Sequence, residues 1–361
     1  MTELTDSDAT IDEMALEVPV GAGHVELTVR EITRETDEAC SVAFDVPDEA
    51  REKFRYKPGQ FLTLQLPGPH GPVGRCYSLC SSPHVDDLPR IAVKRVKDGI
   101  GSNWINDSLA VGQKLASLPP AGTFTPKTLD EDLLLFAGGS GITPVLSILK
   151  SALAEGSGRV VLVYANQHEQ SVIFAAQLRE LAAQYPDRFH VLHWLESVQG
   201  LPTHAQLTAL AAPYTSYTAF VCGPSPFMES VTHVLRELHV PPSRIHIERF
   251  QSLAQNPFEA VDVAEPEPGG ATAVLEVNLD GTDYTFDWPV ETKLLDFLQS
   301  KGLDAPFSCR QGACSACACI LDEGEVAMET NEILDDNDLA EGYRLACQSR
   351  PTTDKVKVRY S

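Results

Sequence analysis

Cys309, Cys314 and Cys317 stand at C-x4-C-x2-C, and Cys347 follows after twenty-nine intervening residues. Three thiols on one loop and a distant fourth suit a [2Fe-2S] cluster, in which each iron takes two thiolates beside the bridging sulfides. Gly312 and the small Ala313, Ser315 and Ala316 let backbone N–H groups approach the sulfurs and tune the potential. A structural zinc or inert thiols are the competing readings, but the paired C-x2-C spacing of zinc sites is missing. Cys319 falls outside the spacing and reads as a packing residue, while Cys40, Cys76, Cys80 and Cys222 lie in apolar runs and read as core thiols. A cluster of this kind moves one electron at a time.

Further chemistry lies upstream. Arg75, Tyr77, Ser78 and Ser81 form R-x-Y-S-x-x-S, which supplies a guanidinium for phosphate, a ring to stack on a flat heterocycle and hydroxyls for its polar edge. An ordinary buried strand is the alternative. Gly101 and Ser102 open a short helix whose free N–H groups suit a phosphate, or are merely capped. Gly139, Gly141 and Thr143 belong to GGSGITP, which follows the apolar run LLLFA and leaves room for a pyrophosphate; it is not G-x-G-x-x-G, so a plain tight turn competes. Gly223 and Pro224 follow Cys222 at the end of a later apolar run. After VVLVYAN, residues 166–171 hold Glu169 and no Lys or Arg, which favours NADH over NADPH, although Arg179 stands within one helix of that stretch. Phe250 reads equally as a flavin-stacking ring or a core aromatic, and His168, His193 and His246 receive no role.

The elements that position these residues fall into three groups. Short β-rich runs broken by Gly and Pro between His24 and Pro126 predict an antiparallel barrel. From Leu133 to Phe250, apolar strands alternate with amphipathic helices and predict a doubly wound parallel sheet, with GGSGITP and CGP at its carboxyl edge. Residues 251–270 carry four acids, no base, and Pro and Gly in place of apolar periodicity, as a linker does. Beyond it, a hairpin turning at Asp280-Gly281 and a helix around Thr292–Lys301 lead into the cysteine loop. The expected organisation is multidomain: an acidic tail over 1–20, a flavin barrel over 21–127, an α/β nicotinamide domain over 128–250, a linker over 251–270 and an α+β cluster domain over 271–361.

The whole chain has 361 residues and a net charge of −23, from 28 basic and 51 acidic residues. Such an excess of acid argues against nucleic acid and anionic membrane as partners. No apolar run reaches the roughly 18–20 residues of a membrane span. The first 18 residues hold six acids and no base, the opposite of a signal peptide, and the clustered cysteines suit a reducing compartment; a cytoplasmic location is the expectation.

Residues 271–361 resemble plant-type ferredoxins, whose β-grasp fold matches the hairpin, helix and loop. R-x-Y-S-x-x-S resembles the flavin motif of the ferredoxin-NADP reductase superfamily. That resemblance implies that Gly101 and Ser102 hold the flavin diphosphate, that the Val93-Lys94 strand lies along the flavin, and that Tyr77, Ser78, Thr143 and Cys222 stand nearest the transferred hydride. Through RCYSLCSSPH, KRVKDG, GGSGITP, VLHWLES, CGPSPFM and FSCRQGACSACAC, residues 24–361 are similar to reductase components of bacterial oxygenases, steroid-hydroxylating ones above all. The resemblance implies FAD rather than FMN and a Rieske-type terminal oxygenase as acceptor; similar reductases serve di-iron and ring-hydroxylating systems. A hydride carries two electrons and the cluster takes one, so a flavin between them completes a relay. A non-catalytic carrier or redox sensor is the competing class, and a haemoprotein or dioxygen a competing acceptor. Nine acids and no base over 321–341 suggest a docking strip for a basic partner, or merely a solvated face.

Overall fold

The computed structural model describes residues 24–259, 270–279, 281–334 and 336–360. The expected tail over 1–20, most of the second half of the expected linker and Asp280 of the hairpin turn lie outside the described residues.

Alternating apolar residues build the first domain. Strands β1 (Val25–Thr36), β2 (Ala39–Asp45), β3 (Phe61–Leu66), β4 (Val73–Ser78) and β5 (Arg90–Lys94), then helix α1 (Ile100–Asp107) and strand β6 (Lys114–Ala121), give one sheet of order β4-β3-β6-β1-β2-β5. Every pairing in it is antiparallel. A bridge between Leu79 and Ile91 brings the end of β4 onto β5 and closes the sheet. Leu27, Val42, Phe44, Leu62, Leu64 and Ile91 fill the interior.

The second domain alternates strand and helix: β7 (Leu133–Gly138), α2 (Ile142–Glu155), β8 (Val160–Asn166), α3 (Ala175–Gln184), β9 (Phe189–Leu195), α4 (Glu196–Gln199), α5 (His204–Ala211), β10 (Thr218–Cys222), α6 (Ser225–Glu237) and β11 (Ile245–Glu248). Its five strands are parallel in the order β11-β10-β7-β8-β9. The strand order reverses between β7 and β10, the place where open α/β sheets form a ligand crevice. The apolar pattern predicts no helix over α5, although Thr203 and Gln206 form a capping box that marks its start.

In the third domain the hairpin β12 (Thr272–Leu279) and β13 (Thr282–Pro289) precedes α7 (Leu294–Ser300). Then follow β14 (Ala318–Glu323), β15 (Val326–Met328), α8 (Asp336–Ala340), β16 (Tyr343–Leu345), β17 (Ser349–Pro351) and β18 (Lys355–Arg359). The main sheet runs β13-β12-β18-β14-β16 with β12 and β18 parallel, a β-grasp arrangement over α7. Trp288 is wholly buried there, its indole N–H donating to Thr292 O at 2.9 Å.

Residues 251–259 differ from a free linker, because they are strapped across two domains. Asn256 Nδ2 donates to Pro72 O at 3.1 Å, Pro257 packs on Gly74 beside Arg75, and Phe258 joins the core of the cluster domain together with Leu118 of β6. A Pro and a Phe in a stretch without periodicity bury their apolar surface against neighbours that the sequence alone does not reveal.

Candidate redox site

The cysteine loop folds into two pairs. Cys309 N–H donates to Cys314 Sγ at 3.3 Å, and Cys347 N–H to Cys317 Sγ at 3.5 Å. Among the described residues no three cysteine sulfurs lie within 4.8 Å of one another. Four thiolates on one zinc, at about 2.3 Å each, would sit about 3.8 Å apart. Two pairs rather than one focus fit a two-iron cluster and not zinc. The loop reaches this shape with Arg310 and Gly312 in the left-handed region, at φ 58° and 78°. Hydrogen bonding from the Cys314 thiol and from backbone N–H groups at 311–313 lowers the Cys309 thiol, while its partner Cys314 is raised, so the pair shares one proton rather than two. Gln348 Nε2 adds a donor to Cys347 Sγ at 3.3 Å. Cys319 is buried in the core of the domain and directs its thiol to Arg344 O. The other cluster of metal-ligand type among the described residues, His204, His233 and Glu237, is fully exposed on α5 and α6.

In the barrel, β4 and the start of α1 converge. A Cβ on Gly101 would lie 2.8 Å from Tyr77 Oη and 3.1 Å from Arg75 Cγ, so only glycine lets the helix approach these side chains. Burial holds the Tyr77 phenol well above its usual value and neutral. Ser102 Oγ accepts Val96 N–H at 3.1 Å, fixing the loop that leads to the helix. The residues present fit a flavin diphosphate at this helix start, with Arg75 beside it.

Two of the expected flavin residues also make contacts within the protein. Ser81 Oγ lies 2.7 Å from Tyr56 Oη and accepts Arg90 N–H at 2.8 Å, while its carbonyl accepts Ser147 Oγ at 2.6 Å, which places it at the joint between barrel and α2. The Val93 side chain is in the barrel core and its carbonyl accepts Asn106 Nδ2 at 3.1 Å. Lys94, its neighbour, extends towards Gly139.

The nicotinamide crevice lies where β7 and β10 end. A Cβ on Gly141 would run into the Cys222 carbonyl, and one on Gly138 would lie 2.8 Å from Pro224 Cδ; the two loops touch backbone to backbone. Gly139 takes φ 54°, and its carbonyl accepts the buried Tyr164 hydroxyl at 3.1 Å. Thr143 Oγ1 donates to Ser140 O at 3.1 Å. Glycines at three of four successive positions thus leave backbone exposed at a helix start, as a pyrophosphate requires.

The barrel, the end of the α/β domain and the cluster loop meet. Phe61, Cys76 and Ser78 of the barrel, Glu248 and Phe250 of the α/β domain, and Cys309, Gln311 and Cys314 of the cluster loop line one cavity. Phe250 remains half exposed there, at 51%. Glu248, unremarkable in the sequence, ends β11 in register with Cys222, and burial raises its carboxyl to about 7. An acid closing the strand next to CGP, at the ligand edge of the sheet, is the signal that could have found it. Burial likewise keeps the Cys222 thiol protonated, with Glu248 adding to the effect. Cys76, expected in the core, instead faces the joint: its Sγ is 3.4 Å from Thr63 Oγ1, which lies 2.6 Å from Ser308 Oγ.

Comparison with known proteins agrees with this geometry. Residues 22–125 match the oxidoreductase FAD-binding domain family, 135–233 the oxidoreductase NAD-binding domain family and 277–352 the 2Fe-2S iron-sulfur cluster binding domain family. The ferredoxin reductase component of 3-ketosteroid-9-alpha-monooxygenase from Rhodococcus rhodochrous is 54% identical, over 96% of this chain and 99% of the relative. A component of the 1,2-phenylacetyl-CoA epoxidase of Escherichia coli K12 is 33% identical, over 92% and 97%. The crystal structure of phthalate dioxygenase reductase, at 22% identity, shares the fold over 94% of this chain and 98% of its own, with a TM-score of 0.56. No helix among the described residues is long and apolar enough to cross a membrane. The chain belongs to the ferredoxin-NADP reductase superfamily, in the branch of oxygenase reductase components that carry a C-terminal plant-type [2Fe-2S] domain.

Proposed function

We propose that this oxidoreductase takes a hydride from NADH onto FAD and passes the electrons singly through its [2Fe-2S] cluster to a Rieske-type oxygenase that hydroxylates a steroid. The observation that carries it is the shared cavity, which sets Ser78 and Phe250 against Cys309 and Cys314. When bound, the flavin and the cluster supply the conversion of a two-electron donor into a one-electron one.

The chain's own residues do the rest. Arg75 pairs with flavin phosphate, Tyr77 stacks on the ring, and the helix start at Gly101 and Ser102 receives the diphosphate, which is the argument for FAD over FMN. Gly139, Gly141, Thr143, Gly223 and Pro224 would hold the nicotinamide half in the crevice, beside the buried, neutral Cys222. Ser78 orients the flavin edge. Glu248, a carboxyl held neutral up to about pH 7, keeps the hydride site free of an extra negative charge and is placed to hold a proton. Phe250, which lines the cavity, would cover the flavin and keep water from it. The absence of Lys and Arg from 166–171 supports NADH.

The steroid substrate and its oxygenase rest on the Rhodococcus relative, whose name states them. The acceptor would dock on the acidic strip over 321–341. An anaerobic titration, first with NADH and then with NADPH, followed by flavin and cluster absorbance together, tests the relay. Bleaching of both chromophores at lower NADH than NADPH is expected; a cluster that stays oxidised under excess NADH rejects it.

A further inference from the structure

Gln311 lies in the cluster loop between Cys309 and Cys314, and its backbone N–H already donates to Cys309 Sγ at 3.3 Å. Its side chain points two ways. Oε1 accepts Ala254 N–H of the interdomain strap at 3.2 Å, which settles the orientation of the amide, because only the oxygen accepts. The opposite end, Nε2, is buried and has no hydrogen-bond partner among the described residues. A buried donor left without an acceptor costs about 1–3 kcal/mol, so the interior of a native protein seldom leaves one. None of the described residues supplies its acceptor. Gln311 lines the cavity with Cys309, Cys314, Ser78 and Phe250, where the acceptor-rich group is the sulfur of the cluster.

We propose that Gln311 Nε2 donates a hydrogen bond to a sulfur of the [2Fe-2S] group, and that Ala254 holds it in that position, so that docking of the strap sets the cluster's reduction potential. This rests on the reading of the cysteine loop as a [2Fe-2S] site. On reduction one electron from the reduced flavin converts one ferric ion to ferrous, no bond forms or breaks, and the cluster gains one negative charge. A donor N–H stabilises that charge more than the oxidised form and raises the potential. Arg310 Nε is a second unpartnered donor in the loop, but its guanidinium is tied to Asp296 and Gln299 of α7 and makes no link to the flavin side. Gln311, by contrast, hydrogen-bonds the strap from within the cluster loop.

The test is an anaerobic redox titration of the full-length holoprotein, monitored by electron paramagnetic resonance for the cluster and by absorbance for the flavin. Gln311→Leu, which keeps bulk and removes the amide, lowers the cluster midpoint by an amount equal to a three- to tenfold shift in the one-electron equilibrium, tenfold being about 59 mV. Ala254→Pro, which removes the N–H that holds Oε1 and also fixes φ there, shifts it in the same direction. The flavin midpoint stays where it is. Unchanged cluster midpoints in both variants, or a shift of the flavin instead, overturn the assignment. Should Gln311→Leu fail to retain iron, Gln311→Asn, which draws the amide back by one methylene, decides by the same sign. A wild-type protein with no cluster resonance would reject the [2Fe-2S] reading itself and not merely the role of Gln311.

Discussion

The hydroxyls of Thr63 and Ser308 lie 2.6 Å apart in a buried joint, bonding the third strand of the barrel to the residue immediately before Cys309. Thr63 also stands 3.4 Å from Cys76, which is on the flavin-motif strand. Around this bond the cluster domain is held by an ion pair between Lys53 and Asp304, by Leu118 in its core and by the strap ending in Phe258. Flavin strand and cluster loop are thus fixed relative to one another, an arrangement suited to electron transfer without domain motion.

Thr63→Val removes one hydroxyl from the buried joint, leaves Ser308 with only the Cys76 thiol as side-chain partner and costs about 1–3 kcal/mol of docking. Stopped-flow reduction by NADH should then show an unchanged flavin phase and a cluster phase slowed at least threefold. The double variant with Ser308→Ala should recover part of the loss, since both partners are then apolar. Equal slowing of both phases would count against a role confined to the joint.

Gly141→Ala places a methyl against the Cys222 carbonyl and prises apart the two loops of the nicotinamide crevice. The expected result is a rise of tenfold or more in KM for NADH with flavin content and cluster absorbance retained. Loss of flavin in step with NADH binding would show that the crevice is not a separate site.

Glu248 gives a pH signature. Its carboxyl is raised from 4.5 to about 7 by burial, so between those values the folded protein holds a proton that the unfolded chain has lost. Stability from this residue is complete below pH 4.5 and is lost as pH rises through 7. Glu248→Gln should flatten the fall in thermal midpoint between pH 5 and 8. A variant whose midpoint still falls as steeply as that of the wild type would remove Glu248 as the cause.

Much of this site is legible in the sequence because its chemistry is local. The cysteine spacing, the R-x-Y-S run and the glycines after β7 each bring their residues together within one loop or strand. What the sequence hides is long-range. Glu248 becomes notable only when β11 pairs with β10 and sets it beside Cys222. Cys76 reads as a core thiol, because nothing in RCYSLCSS announces that its strand faces another domain. Ser81, a flavin ligand by its place in the motif, bonds Tyr56 and Arg90, partners 25 and 9 residues away. Helix α5 escapes a pattern search although its capping box is present, because its apolar residues lack a clear stripe. Composition alone makes the strap a linker, and only Gly74, Pro72 and Gln311 show why it is ordered.

Docking of the oxygenase can be tested more sharply than a count of acids allows, because the strip is not uniform. Asp322 pairs with Arg359, Glu323 with Lys355, and Glu329 with both Lys293 and Arg350, so these three serve the domain itself. Glu325, Glu332, Asp336 and Glu341 form no ion pair among the described residues and project charge to solvent. Exposed charges act over about 8 Å at 0.15 M salt, and raise the rate of encounter more than the final affinity. Replacing these four by their amides should slow acceptor reduction at low salt by tenfold or so, and leave a rate that hardly changes as salt is added. Neutralising Asp322, Glu323 and Glu329 instead should cost mainly stability. If the four-amide variant keeps the wild-type rate and salt dependence, the partner docks elsewhere on the cluster domain.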